Sequence, residues 1–203
     1  MKKKYWFILL IIIIAIGGII FYKNRVKNHK NGNNKNSQEI VNYILNISSY
    51  EVKVTVDVTS NKNSNKYILK QIYQSPNKSI QEVIEPSNIA GVKIENDETN
   101  LKIENSQLSL SSIIENYNYL GDNCLDLYSF IEDYKQDEKA TYEEKDNEII
   151  MKTSSNIHNI YIKEKFLHID KKTYNPTQME IKDNKQKTTI YILYNEVKVN
   201  STN

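Results

Sequence analysis

The sequence predicts an α+β domain: a strongly curved antiparallel β-sheet with an N-terminal helix and a helical insertion, behind an N-terminal transmembrane helix. Three observations predict it. Residues 5–22 form one continuous apolar run. Beyond residue 49, apolar and polar residues alternate along most of the chain, which is the pattern of half-buried strands. Only two stretches, near residues 37–49 and 111–135, replace that alternation with helical spacing.

The 203 residues suffice for a membrane segment and one domain. Charges nearly balance, 27 Lys plus Arg against 25 Asp plus Glu, for a formal net charge of +2. That balance argues against nucleic acid, whose phosphates need a clear positive excess on one face. Tyrosine is heavily used, 15 against 4 Phe, and suits sheet faces where the ring packs and the hydroxyl stays wet.

The opening stretch "MKKKYWFILLIIIIAIGGIIFYKNRVK" places three lysines before the apolar run, with Trp6 and Tyr22 near its two ends. A spanning helix needs about 20 apolar residues, and the aromatic pair fits interfacial anchoring. A cleaved signal peptide is the competing reading, with Ala15-Ile16-Gly17 as its small-x-small site. Residues 1–22 are assigned as a membrane signal-anchor with a cytoplasmic N-terminus, and the remainder as exported. Residues 23–36, "KNRVKNHKNGNNKN", are polar, basic and aperiodic, and are assigned as a linker. The domain then covers residues 37–203.

Its first element, "SQEIVNYILNISS", puts Ile40, Val41, Ile44 and Leu45 on one stripe, with Ser37 as N-cap. The period then switches. "YEVKVTVDVTS" aligns Val52, Val54, Val56 and Val58 on one face of a strand. "NKNSN" is turn chemistry, and "KYILKQIYQS" completes a hairpin. In "YQSPNKSIQEVIEP", Pro76 and Pro86 fall at the two ends of a third strand, where a missing N–H costs little. "GVKIEND" and "TNLKIEN" make another hairpin through Asp97 and Glu98.

Within residues 111–135, Ile113, Ile114 and Tyr117 share one predicted helical face, and Leu127, Tyr128 and Ile131 another. Alternation returns after Lys139. Turns are expected at Asp146-Asn147, Lys163-Glu164-Lys165, Lys171-Lys172 and Asp183-Asn184, and Pro176 opens a strand. The total is a meander of roughly ten strands.

No catalytic constellation emerges, so no catalytic, cofactor-binding or metal-ligating residue is assigned. Cys124 is the single cysteine and has no partner for a disulfide within the chain. Beside Leu125 and Leu127 in the predicted helix, it reads as a buried small hydrophobe. The three histidines, His29, His158 and His168, are not clustered with cysteines or acids at metal-ligand spacing. Acidic residues such as those of "DYKQDEKATYEEKD" read as a solvated face. The composition points to a binding or scaffolding module rather than an enzyme.

The order of these motifs resembles the lipoprotein-carrier fold of the LolA and LolB type, a half-barrel. In that family a strand, a P-x-K turn, a strand ending in E-P and a Gly-led hairpin follow one another. The matching residues are Pro76 and Lys78, Glu85 and Pro86, and Gly91. The closing stretch "YNPTQMEIKDNKQKTTIYILYNEVKVN" resembles that family's last hairpin through Pro176, Asp183 and Asn184. Within the fold the chain is most similar to the GerS family of clostridial spore germination lipoproteins.

That resemblance implies a non-catalytic partner of the spore-cortex N-acetylmuramoyl-L-alanine amidase, a zinc enzyme. The partner binds and activates the amidase, which supports the muramic-lactam formation that germination enzymes recognise. The family is tethered by a lipidated cysteine, which this chain lacks after its apolar run. A transmembrane helix would take its place. The expected location is therefore the cell membrane, single-pass with the domain outside the cytoplasm, or the intermembrane space of the developing spore. The LolA-type fold also implies an alternative, a carrier or sensor holding a lipid or acyl chain in the concave face. A deep apolar cavity under the helical insertion would mark the carrier, and a filled core with an open strand edge the binder. Tyr67 and Tyr73, with the strand from Val52 to Val58, are the candidate interface residues, since aromatic anchors dominate interfaces.

Overall fold

The computed structural model describes residues 36–60, 62–76, 78–97, 99–116 and 123–200. The assigned membrane anchor and all but the last residue of the linker lie outside these residues. No helix among them is long and apolar enough to cross a membrane. Residues Ser37–Asn203 form one compact unit, and every residue of its core cluster falls between Ile40 and Tyr194.

The unit opens with α1 (Ser37–Leu45), which buries Ile40, Val41 and Ile44. Six strands follow: β1 (Ser49–Thr59), β2 (Ser64–Gln74), β3 (Lys78–Glu85), β4 (Val92–Asp97), β5 (Asn100–Asn105) and β6 (Leu110–Glu115). After α2 (Leu127–Gln136) come β7 (Thr141–Lys145), β8 (Glu148–Asn159), β9 (Ile162–Asp170), β10 (Pro176–Lys182) and β11 (Thr188–Val199). All eleven strands form one sheet in the order β6-β5-β4-β3-β2-β1-β11-β10-β9-β8-β7.

Two consecutive meanders are thus joined by a single long-range pairing, β1 with β11. Its register sets Val54 opposite Tyr194 and Val56 opposite Ile192. Because side chains alternate across a strand, this register puts the apolar residues of both meanders on one inner face. Val52, Val54 and Val56 are buried there, each contributing about 1.5–3 kcal/mol by leaving water. Ile149, Met151, Leu167, Ile169, Met179 and Ile181 continue the layer. Both helices pack over this half of the sheet, against each other and against β8. Bulges between Glu51 and Lys53, and between Ile181 and Lys182, interrupt the ladders, and such bulges bend and twist a sheet.

Four sequence expectations are corrected. The predicted helical insertion over 111–135 is a strand followed by a shorter helix. Ile113 and Ile114 lie in β6, because the free edge of β5 supplies a hydrogen-bonding partner that an isolated short helix lacks. Tyr117 lies outside the described residues. Cys124 sits in the turn before α2, not in a helix, although it does pack against the core. Lys163, Glu164 and Lys165 belong to β9, and the turn falls at Ile160 and Tyr161. Ser37 is the first residue of α1, and its hydroxyl donates to Glu144 of β7.

Candidate functional site

Under the helices the inner face is filled with side chains. Phe130 and Ile131 of α2 and Ile40 and Ile44 of α1 are as buried as the strand residues beneath them. Most polar groups that enter this layer have partners, the buried Tyr194 hydroxyl being an exception. Lys165 Nζ lies 2.7 Å from Asp133 Oδ2 and donates to Ser129 Oγ at 3.0 Å. At the start of α2, Asp126 caps the helix by accepting from the Tyr128 N–H at 2.8 Å. The same carboxylate oxygen accepts from the Tyr50 hydroxyl. Burial pushes the Asp126 carboxyl up from its usual value. Burial, with Asp126 beside it, pushes the Tyr50 hydroxyl well above its own. Tyr50, Tyr73 and Tyr128 stack in a column, with ring centroids 5.3 and 4.4 Å apart.

The β3–β6 wing is different. Its inner face carries Ser79, Gln81 and Asn96 buried, and Asn123 Nδ2 donates to Gln81 Oε1 at 2.9 Å. Gln71 of the neighbouring β2 donates to the Leu125 carbonyl at 3.1 Å, tying the α2 approach to the sheet beside the wing. The wing ends in β6, whose six residues are all exposed. Leu110, Ile113 and Ile114 are 62%, 62% and 42% exposed on this terminal strand. Leu110 and Ile114 share the inner face with Leu101, their register partners being Asn105 and Leu101, whereas Ile113 lies on the outer face opposite Lys102. The other terminal strand, β7, reads Thr-Tyr-Glu-Glu-Lys. Its Glu144 is held by Ser37 and Lys171. Charge is a usual guard of a sheet edge, so β7 is guarded, whereas β6 is an apolar terminal strand with no further strand paired to it among the described residues.

The outer face is a lattice of ion pairs, among them Glu51 with Lys70 and Lys198, Lys152 with Glu164, and Lys182 with Glu180. A cleft of about 250 Å³ on that face is lined by Glu51, Lys53, Lys70, Ile84, Glu196 and Lys198. Among the described residues no three His, Cys, Asp or Glu side chains gather as metal ligands would. Burial pushes the Cys124 thiol up, which lowers its thiolate content.

The residues singled out by the family motifs are not brought together. Pro76 lies in the β2–β3 turn, where its carbonyl accepts from the Tyr73 hydroxyl at 3.1 Å, and Lys78 begins β3. Pro176 opens β10 at the same end of the strands. Glu85 ends β3 and Pro86 follows it into the turn that reaches Gly91. Gly91 has φ +80°, and its N–H donates to the Val83 carbonyl at 2.9 Å. Asp183 accepts from the N–H groups of Lys185 and Lys187 at 2.8 and 2.9 Å, and the Asn184 N–H donates to the Ile160 carbonyl. These positions organise turns. Ser75–Pro76 and Glu85–Pro86 are cis.

Of the candidate interface residues, Tyr73 is 2% exposed and sits in the tyrosine column, out of a partner's reach. Val52, Val54 and Val56 are likewise core, and Tyr67 packs partly buried against it. The exposed apolar residues of β6 escaped sequence reasoning, although Leu108 and Leu110 alternate with serines in "LSLSS". The buried Lys165 escaped it too, although it shares parity with Leu167 and Ile169 in β9.

The described residues thus form a helix-backed antiparallel sheet with a filled inner face under the helices and an exposed apolar terminal strand. The chain belongs to the sporulation protein YdcC-like family, whose profile spans residues 2–203. In structure it is similar to the GerS lipoprotein as found in complex with the CwlD amidase of Clostridioides difficile. Identity there is 24% over 78% of this chain and 91% of that chain, with a TM-score of 0.52. An uncharacterized conserved protein of Thermus thermophilus is 11% identical over 83% and 90% of the two chains, with a TM-score of 0.53. A LolA superfamily protein of Nitrosomonas europaea is 12% identical over 83% and 96%, with a TM-score of 0.44. No curated protein matches the chain.

Proposed function

We propose that the domain is a non-catalytic binding module that docks on a spore-cortex N-acetylmuramoyl-L-alanine amidase and activates it. In this reading the domain is held outside the cytoplasm by the N-terminal apolar segment, in the intermembrane space of the developing spore. Docking uses β6, and the observation that carries the reading is the exposure of Leu110, Ile113 and Ile114 on an unguarded terminal strand. A partner strand can add its backbone hydrogen bonds there and cover the apolar side chains in one step. Membership of a sporulation family supports the setting. The likeness to GerS, seen in complex with the CwlD amidase, supports the partner class.

The carrier alternative requires an apolar chamber. Where the helices cover the sheet, the inner face is instead occupied by side chains of β1, β8–β11, α1 and α2, which favours the binder. The test is a pull-down of this protein with the cortex amidase of the same organism, with hydrolysis of spore peptidoglycan followed in parallel. Binding with raised amidase activity is the expected result. Absence of binding, together with lipid co-purifying with the protein, would move the assignment to the carrier.

A further inference from the structure

The β8–β9 turn carries two exposed apolar residues side by side, Ile160 at 62% and Tyr161 at 55%. They are held rigidly. The Ile160 carbonyl accepts from the Asn184 N–H at 3.2 Å, and the Tyr161 carbonyl accepts from the Thr189 hydroxyl at 2.7 Å. The β8–β9 tip is therefore braced against the β10–β11 turn. Two clefts of about 280 and 640 Å³ flank it, and Ile160 and Asn184 line both.

Lysines surround this apolar pair: Lys185 and Lys187 line the smaller cleft and Lys163 the larger. Elsewhere most lysines face a carboxylate, as Lys70 does Glu51 and Lys182 does Glu180. Lys163, Lys185 and Lys187 belong to no ion pair among the described residues. The one carboxylate lining these clefts, Asp183, accepts from two backbone N–H groups of its own turn and is outnumbered by the three lysines. An aliphatic and an aromatic side chain, projecting from a braced tip amid an excess of ammonium groups, match the boundary of an anionic bilayer. There an apolar residue enters the acyl region, a tyrosine sits at headgroup depth and lysines meet phosphates.

We infer that the Ile160–Tyr161 tip is a contact site for an anionic lipid surface. The site lies away from the proposed amidase edge. It also lies away from the point where the chain enters the domain, since Ser37 bonds Glu144, the register partner of Ile149 at the start of β8. The tip follows the other end of that 12-residue strand, roughly 35–40 Å away at strand rise. Contact by the tip is thus separate from any tether before Ser37.

Residues 37–203 carry a complete core and contain no tryptophan, because the only one is Trp6. Tyr161→Trp in this unit is therefore a single-tryptophan probe. With phosphatidylglycerol-containing vesicles its emission should shift to the blue and be quenched by acyl-chain-brominated lipid, with no change on pure phosphatidylcholine. Replacing Lys163, Lys185 and Lys187 together by Gln should weaken vesicle binding about a hundredfold, at about a factor of five per lysine. Ile160→Ser should release the protein from vesicles while leaving its thermal melt unchanged. Unchanged Trp emission on anionic vesicles would overturn the inference, as would equal binding by the triple-Gln variant. A shift produced by the purified amidase and not by vesicles would reassign the tip to a protein contact.

Discussion

Lys165 of β9 and Asp133 of α2 form a salt bridge of 2.7 Å with side chains 0% and 4% exposed. It pins the helix to the sheet from within the core. Taking two charges out of water is costly, and their attraction offsets this only while both are present. Lys165→Ala should leave Asp133 buried and unpaired, at a cost of about 3–5 kcal/mol. The double change Lys165→Met with Asp133→Leu should recover most of that loss. Urea titrations of the three proteins check this, and a single variant no less stable than the double one would refute it.

The pH dependence of stability should carry two opposed terms. Burial raises the Asp126 carboxyl above its ordinary value, so the neutral form is favoured in the folded state. Its contribution is complete below the ordinary carboxylate range and is lost as pH rises through the raised value. Hydrogen bonding, first from the Ser154 backbone N–H, lowers Asp137. Its contribution is present above the ordinary range and is lost as pH falls through the lowered value. Asn caps a helix as well as Asp does. Asp126→Asn should therefore be more stable than the native chain at pH about 7 and lose that advantage toward pH about 4. Asp137→Asn should be less stable near neutrality, with a penalty that shrinks on acidification. Denaturant midpoints at the two pH values give the answer.

Tyr73 and Ile113 should separate stability from docking. Tyr73 is stacked between Tyr50 and Tyr128, and Tyr73→Ala should cost about 3–5 kcal/mol as a core truncation. Ile113 is exposed, so Ile113→Lys should change stability by no more than about 0.5 kcal/mol. It should nevertheless abolish amidase capture, because a lysine guards an edge strand. Full capture by a folded Ile113→Lys chain would exclude β6 as the docking edge.

Gly91 matters through its backbone. At φ +80° an added Cβ would lie 2.7 Å from Ser106 Oγ. Gly91→Ala should cost about 1–2 kcal/mol from the left-handed conformation alone, plus the clash. Adding Ser106→Ala should restore only the part due to the clash. Thermal melts of the single and double variants resolve the two parts.

What the sequence determined by itself is the set of local elements and their buried faces. Alternating valines define β1 because a strand presents every second side chain to one layer. The Pro76, Pro86 and Pro176 positions bound strands because proline cannot donate to a ladder. The order of those turns carried the resemblance to the lipoprotein-carrier fold. Tertiary structure decided what depends on partners distant in the chain. Residues 110–115 are a strand because β5 offers them an edge, whatever helical spacing Ile113 and Ile114 suggested. Lys165 is buried because Asp133, 32 positions earlier in the sequence, is brought beneath it by α2. Tyr73 is core because β1 and α2 place rings on both its faces. The candidate docking edge could be recognised only once the sheet order had left β6, among the described residues, without a second strand neighbour and β7 with its charges, since an edge is a property of the whole sheet and not of any one strand.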